Sequence, residues 1–208
     1  MSLRRTLTAA AAAVLTLGLV AGTSAAQAGS THHRATASKA GATYIALKGG
    51  KTTLALYPAT ADALTSLGVS VTPVSEAKIT SSGIAFPIQG GLINAKTLAG
   101  KITHSGGLTF AAGGTSVTVR DFTVRTTKPR ILTAWVDGLN VRVPLLNVNL
   151  KKAKIDLTKR HLTVTRIKTT LTKTAADALN ATFGVTAFAA GLPIGKVTVS
   201  ASSKLLRG

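Results

Sequence analysis

The chain has 208 residues, no cysteine, one methionine (Met1), and 25 Lys+Arg against 6 Asp+Glu, a formal net charge of +19. The missing thiols exclude disulfides, lipoprotein anchoring, thiolate metal sites and cysteine nucleophiles, so the fold must rely on packing and hydrogen bonding alone. So basic a surface is drawn to polyanions such as teichoic acids, anionic lipids or DNA, but at 4% aromatics the chain lacks the stacking residues of a nucleic-acid binder.

The first element in chain order is a processing signal. MSLRR is a positive n-region, TLTAAAAAVLTLGLVAG a short apolar run, and Ala26 and Ala28 form the A-x-A pattern of a cleavage site. Residues 1–28 are therefore expected to be a signal peptide cut before Gly29. The apolar run is too short for a membrane anchor. Arg4 and Arg5 stand without the rest of a twin-arginine motif, which points to general secretion. Losing them leaves 23 cations against 6 acids, or +17. No second hydrophobic span follows, and SASSKLLRG carries no sorting tail. A secreted protein is expected, with the cell wall as a place of attachment. Residues 29–41, small, polar and aperiodic, read as a flexible tail that contains His32 and His33. A single β-rich domain is expected over 42–208.

From residue 42 the apolar residues alternate, the period of half-buried strands. Ile84, Phe86 and Ile88 share a face, and Pro87 among them suggests an edge position, since proline donates no ladder hydrogen bond. Val117 and Val119 are followed by Phe122 and Val124, and that one-residue slip predicts a β-bulge near Asp121. Asp137-Gly138 separates two alternating runs, which is a hairpin signal. A second hairpin, AKIDL–TKRH–LTVTRI, places His161 at an exposed tip.

Two segments break the alternation and resemble each other. TLALYPATADALTSLGVSV and TLTKTAADALNATFGVTAF share Thr-Leu, Ala-Asp-Ala-Leu (61–64 and 176–179) and a following Gly-Val. Each reads as a strand ending in a short helix that is stopped by a glycine with positive φ (Gly68, Gly184). Asp62 and Asp177 are expected in the first helical turn, where a carboxylate suits the dipole. Both segments read as caps closing an open end of the β-structure, a fold signal and not a site signal. The expected class is all-β: an antiparallel sandwich or partly closed barrel of about ten strands with one or two short capping helices.

Catalytic chemistry is hard to assemble from this chain. Six carboxylates (Asp62, Glu76, Asp121, Asp137, Asp156 and Asp177) leave little for paired acid–base work. No G-x-S-x-G, H-E-x-x-H, phosphate loop or dinucleotide fingerprint occurs, and no carboxylate or thiolate cluster suggests a metal. A non-enzymatic protein is expected. The candidate site residue is His104 in GKITHSGGLTF. Ile102, His104, Gly106, Leu108 and Phe110 share one face, and Lys101, Thr103, Ser105, Gly107 and Thr109 the other. His104 thus lies on the apolar side beside a glycine gap. There it either hydrogen-bonds within the core or coordinates something lodged in a cleft. The double glycine equally fits a bulge or a close backbone approach.

The run GKITHSGGLTFAAGGTSVTVRDFTVRTTKPRILTAWVDG resembles the central motif of HtaA-type domains, secreted or wall-associated β-rich modules of actinobacteria that bind haem. Gly100, Ile102, His104, Gly107 and Leu108 carry the likeness, which extends over residues 84–138. It implies haem as the ligand. His104 would match the family's histidine contact, Tyr44 would take the N-terminal tyrosine's part, and Arg120, Arg125 or Arg142 would meet the propionates. No tyrosine follows Tyr57, so the family's C-terminal tyrosine contact has no counterpart, the mark of a degenerate relative. Two readings follow: an envelope protein binding haem or another small ligand at the His104 face, or a structural, adhesive protein held to anionic wall polymers by its charge.

Overall fold

The computed structural model of the chain describes residues 41–207. The expected signal peptide, the tail up to residue 40, and His32 and His33 within it lie outside the described residues. In chain order the elements are β1 (Thr43–Leu56), α1 (Pro58–Ser66), β2 (Ser70–Val74), β3 (Lys78–Thr80), β4 (Gly83–Asn94), β5 (Gly100–His104), β6 (Gly107–Ala112) and β7 (Thr115–Arg125). Then come β8 (Ile131–Val136), β9 (Val141–Asn149), β10 (Lys154–Leu157), β11 (His161–Leu171), α2 (Lys173–Phe183) and β12 (Pro193–Arg207). Neither helix is long and apolar enough to cross a membrane.

Eight strands close a ring in the order β7-β5-β4-β1-β12-β11-β9-β8, with β8 pairing back onto β7. Closure gives the barrel wall no free edge. β2 extends the sheet from β6, β3 from β4 and β10 from β11. The all-β class and its capping helices are as the sequence implies, and the barrel is the version adopted.

The bulge falls where the phase slips. The β7–β8 register shifts between Arg120 and Thr123, and Asp121 adopts φ 54°. Val136 pairs with Val141 across a four-residue turn at Asp137-Gly138, and His161 is exposed at the start of β11. Pro87 is not on an edge strand. β4 pairs with β3 up to Ala85 and with β5 from Ile88, and Pro87 sits between the two partners. Its carbonyl accepts from Ser105 on that side, so the missing N–H faces the changeover, where no ladder bond is due.

β5 and β6 are one strand broken at Ser105-Gly106, and both halves pair with β7. Gly106 has φ +82°, and a Cβ there would lie 2.5 Å from the backbone nitrogen of Ala77. The glycine therefore marks a close backbone approach, and Ala77 fills the gap expected beside His104. Both helices end as read: Gly68 and Gly184 have φ 64° and 65°. Val69 N–H donates to Leu64 O and Val185 N–H to Asn180 O, the 6→1 bond of a Schellman stop. Their starts differ from expectation. Helix α1 begins at Pro58 and α2 at Lys173, so Asp62 and Asp177 are fifth residues and not first-turn residues. Proline favours the first helical position, and Thr172 caps α2 by accepting from Ala175 N–H, so each helix starts earlier than its ADAL run.

Three apolar clusters line the barrel interior. One gathers around Ile45, Ile93 and Leu162, the second around Leu54, Phe86 and Val119, and the third joins Leu171, Ala175 and Phe188 to the inner sides of both helices.

Candidate ligand site inside the barrel

His104 points into the barrel and is 3% exposed. Three strands converge on it. β5 supplies the imidazole, β7 the Phe122 carbonyl just past the bulge, and β1 the Thr52 hydroxyl. His104 Nδ1 lies 3.2 Å from Phe122 O and Nε2 lies 2.7 Å from Thr52 Oγ1. A carbonyl only accepts, so Nδ1–H donates to Phe122 and Nε2 accepts the threonine proton. Burial keeps the ring neutral near pH 7, and both nitrogens are engaged. Burial drives its pKa down from 6.5 to about 4, opposed in part by the bond to Phe122. The phenyl rings of Phe86 and Phe122 meet edge to face beside it, centroids 4.9 Å apart.

His104 forms part of the wall of a cavity of about 320 Å³ that runs through the barrel. Its lining draws on all three apolar clusters, from Leu98 and Leu162 at one end to Leu171 and Phe188 beneath the helices. The polar lining residues are His104 and the threonines 52, 60, 126, 169 and 182. Ala63, Ala178 and Leu139 also line it and are exposed, so the cavity reaches the surface between α1, α2 and the β8–β9 turn.

The other residues implied by the resemblance lie elsewhere. Tyr44 is 39% exposed and neighbours the inward Ile45, so it faces outward. It sits eight residues from Thr52 along β1, roughly 25 Å at strand rise. His104 and Tyr44 are not brought together. Arg120 pairs on the surface with Asp137 and, at 3.0 Å, with Asp121. Arg142 lies over the Trp135 ring at 5.0 Å and donates to Asp121 O at 2.9 Å. Arg125 is exposed opposite Lys101. None of the three arginines lines the cavity.

Sequence reading missed two groups. Thr52 carries no local signal, because its role comes from a partner 52 residues away. The ADAL pair did carry a signal. Ala63-Leu64 and Ala178-Leu179, the last two residues of each copy, all line the cavity, so the repeat taken as a fold feature also frames the site.

The candidate site is thus a closed barrel with an apolar interior, a buried histidine in its wall and a helix-framed mouth. Among solved structures the chain resembles the C-terminal domain of HtaA from Corynebacterium glutamicum, with TM-score 0.56 and 14% identity over 76% of this chain and 99% of that one. The N-terminal domain of HtaA from the same organism gives TM-score 0.54 and 15% identity over 75% of this chain and 97% of that one. The chain has the HtaA-type fold. No family model and no curated protein sequence matches it.

Proposed function

We propose that this is a non-enzymatic binding protein of the cell envelope, exported through residues 1–28, that takes a small ligand into the barrel against the His104 face. The carrying observation is the cavity of about 320 Å³, within the size range of small-molecule pockets and open at one end. Haem is the ligand implied by the resemblance over residues 84–138, and its macrocycle suits the apolar lining. Its iron and carboxylates are less well served. His104 is the one lining residue with a nitrogen donor, and Thr52 already occupies that lone pair. No lysine or arginine lines the cavity for a propionate. The residues present do not complete a haem site.

The reading is tested with N-phenyl-1-naphthylamine, an uncharged probe that brightens in apolar surroundings. The full chain is expected to give a saturable rise in emission, and Val136→Phe or Val143→Trp, each filling the lumen, to weaken it at least tenfold while far-UV circular dichroism is unchanged. No rise with the wild-type chain would sink the reading.

A second reading has its own observation. Lys101 stands directly opposite Arg125, and Lys168 opposite Lys196, all exposed. Among the described residues the acids meet only Arg120 and Lys173. Like charges opposed across strands repel, and a polyanion relieves that repulsion. Attachment to anionic wall polymers predicts stepwise release from isolated cell walls as salt rises from 0.1 to about 1 M, where the screening length shrinks to roughly 3 Å. Retention that ignores salt would exclude a purely electrostatic attachment.

A further inference from the structure

The geometry points to an uncharged hydrocarbon chain, an acyl or isoprenoid tail, as the occupant of the barrel, with His104 as a wall fixture and not an iron ligand. This rests on the barrel interior being the ligand site and names the class of ligand that it takes.

Three observations carry it. The first is charge: none of the residues lining the cavity is Asp, Glu, Lys or Arg. An ionised ligand drawn inside would sit in an apolar medium with no counter-charge, which is strongly unfavourable.

The second is hydrogen bonding. The polar lining groups, Thr182 near the end of α2 apart, are committed to the protein. Thr52 is bonded to His104, Thr60 donates to Pro193 O at 2.7 Å, Thr169 donates to Gly195 O at 3.2 Å, and Thr126 donates to Leu98 O. His104 spends its remaining nitrogen on Phe122. Among the described residues no fully buried side-chain nitrogen or oxygen lacks a partner. A site made for a polar ligand leaves donors or acceptors free to orient it. Away from Thr182 this one offers dispersion contacts, and apolar cavities stay dry and accept hydrocarbons.

The third is shape. The lining takes in residues of all three clusters in series along the barrel, and the opening lies at the helix end. A linear molecule can thread such a lumen from Ala63 and Ala178 at the mouth, past Thr52 and His104, to Leu98 and Leu162, leaving any polar head in water at the mouth. Small alanines at equivalent positions of the two ADAL segments keep that mouth open.

Competition for bound N-phenyl-1-naphthylamine tests the inference on the full chain. 1-Dodecanol is expected to displace the probe with a half-point at least tenfold below that of haemin. Added haemin is expected to give the same Soret band with wild type and His104→Ala. Ala63→Trp and Ala178→Trp, at exposed helix positions that leave the core intact, are expected to lower the probe's association rate at least tenfold. Displacement by haemin and not by dodecanol, or a Soret shift that disappears in His104→Ala, overturns the inference while leaving interior binding in place. Failure of the probe itself to bind removes both. An unchanged entry rate in both Ala63→Trp and Ala178→Trp overturns the assignment of the mouth.

Discussion

Replacing His104 by alanine is expected to lower the free energy of unfolding by about 3–4 kcal/mol, a large share of the roughly 5–15 kcal/mol that holds a domain together. Two effects add. The imidazole is lost from a site that is 3% exposed, enlarging a cavity that is already present. The Thr52 hydroxyl and the Phe122 carbonyl also lose their partner in surroundings with little to replace it. A buried polar group left unpaired costs about 1–3 kcal/mol. Urea denaturation reads the change as a shift in midpoint at constant slope. The double variant Thr52→Val/His104→Leu is expected to cost less than the sum of its two single changes, because it removes the hydroxyl along with the nitrogen that it serves. A loss below about 1 kcal/mol for His104→Ala would mean that the three-strand junction contributes little to the fold.

The second large effect is on acid stability. In the folded protein His104 binds its proton only near pH 4, whereas an unfolded chain binds it near 6.5. Between those values the unfolded state holds more protons, so stability is full above pH 6.5 and falls as pH drops toward 4. It levels off below, where both states are protonated. A difference of that size corresponds to about 3 kcal/mol, at 1.36 kcal/mol per pH unit. Urea midpoints measured from pH 7.5 down to 4 should show this loss in the wild type, and the loss should be absent from the Thr52→Val/His104→Leu variant. Equal pH dependence in the two proteins would place the responsible proton elsewhere. The barrel is therefore weakened in mildly acidic surroundings by the residue that knits its wall together.

Much of the wall was legible before the structure. Alternation located the strands around Ile84, Ile102 and Leu132. The slip at Asp121 located the bulge, and Gly68 and Gly184 located the helix stops. These succeed because each is a local rule acting within a few residues: side chains alternate across a pleat, an extra residue flips the phase, and a glycine accepts positive φ. Pro87 and the two ADAL aspartates were read less well for a related reason. The edge reading of Pro87 assumed one partner strand per side, but β4 changes partner beside it. The aspartate positions assumed that each helix begins at its alanines, and Pro58 and Thr172 start it earlier.

The sequence by itself determined that the chain is all-β, strongly basic and thiol-free, and that His104 lies on the inward face of its strand. Period, charge and composition are properties of short stretches and survive without tertiary context. Only the tertiary structure decided what His104 does there. Its two partners, Thr52 and Phe122, lie 52 and 18 residues away in the chain, and the side-by-side pairing of β7, β5, β4 and β1 brings them within hydrogen-bond reach. The tertiary structure also makes two Ala-Leu pairs 115 residues apart into the frame of one opening, and Tyr44, beside the inward Ile45, lies on the outer face. Strand pairing at a distance is set by register and closure, and neither is written in any local stretch of residues.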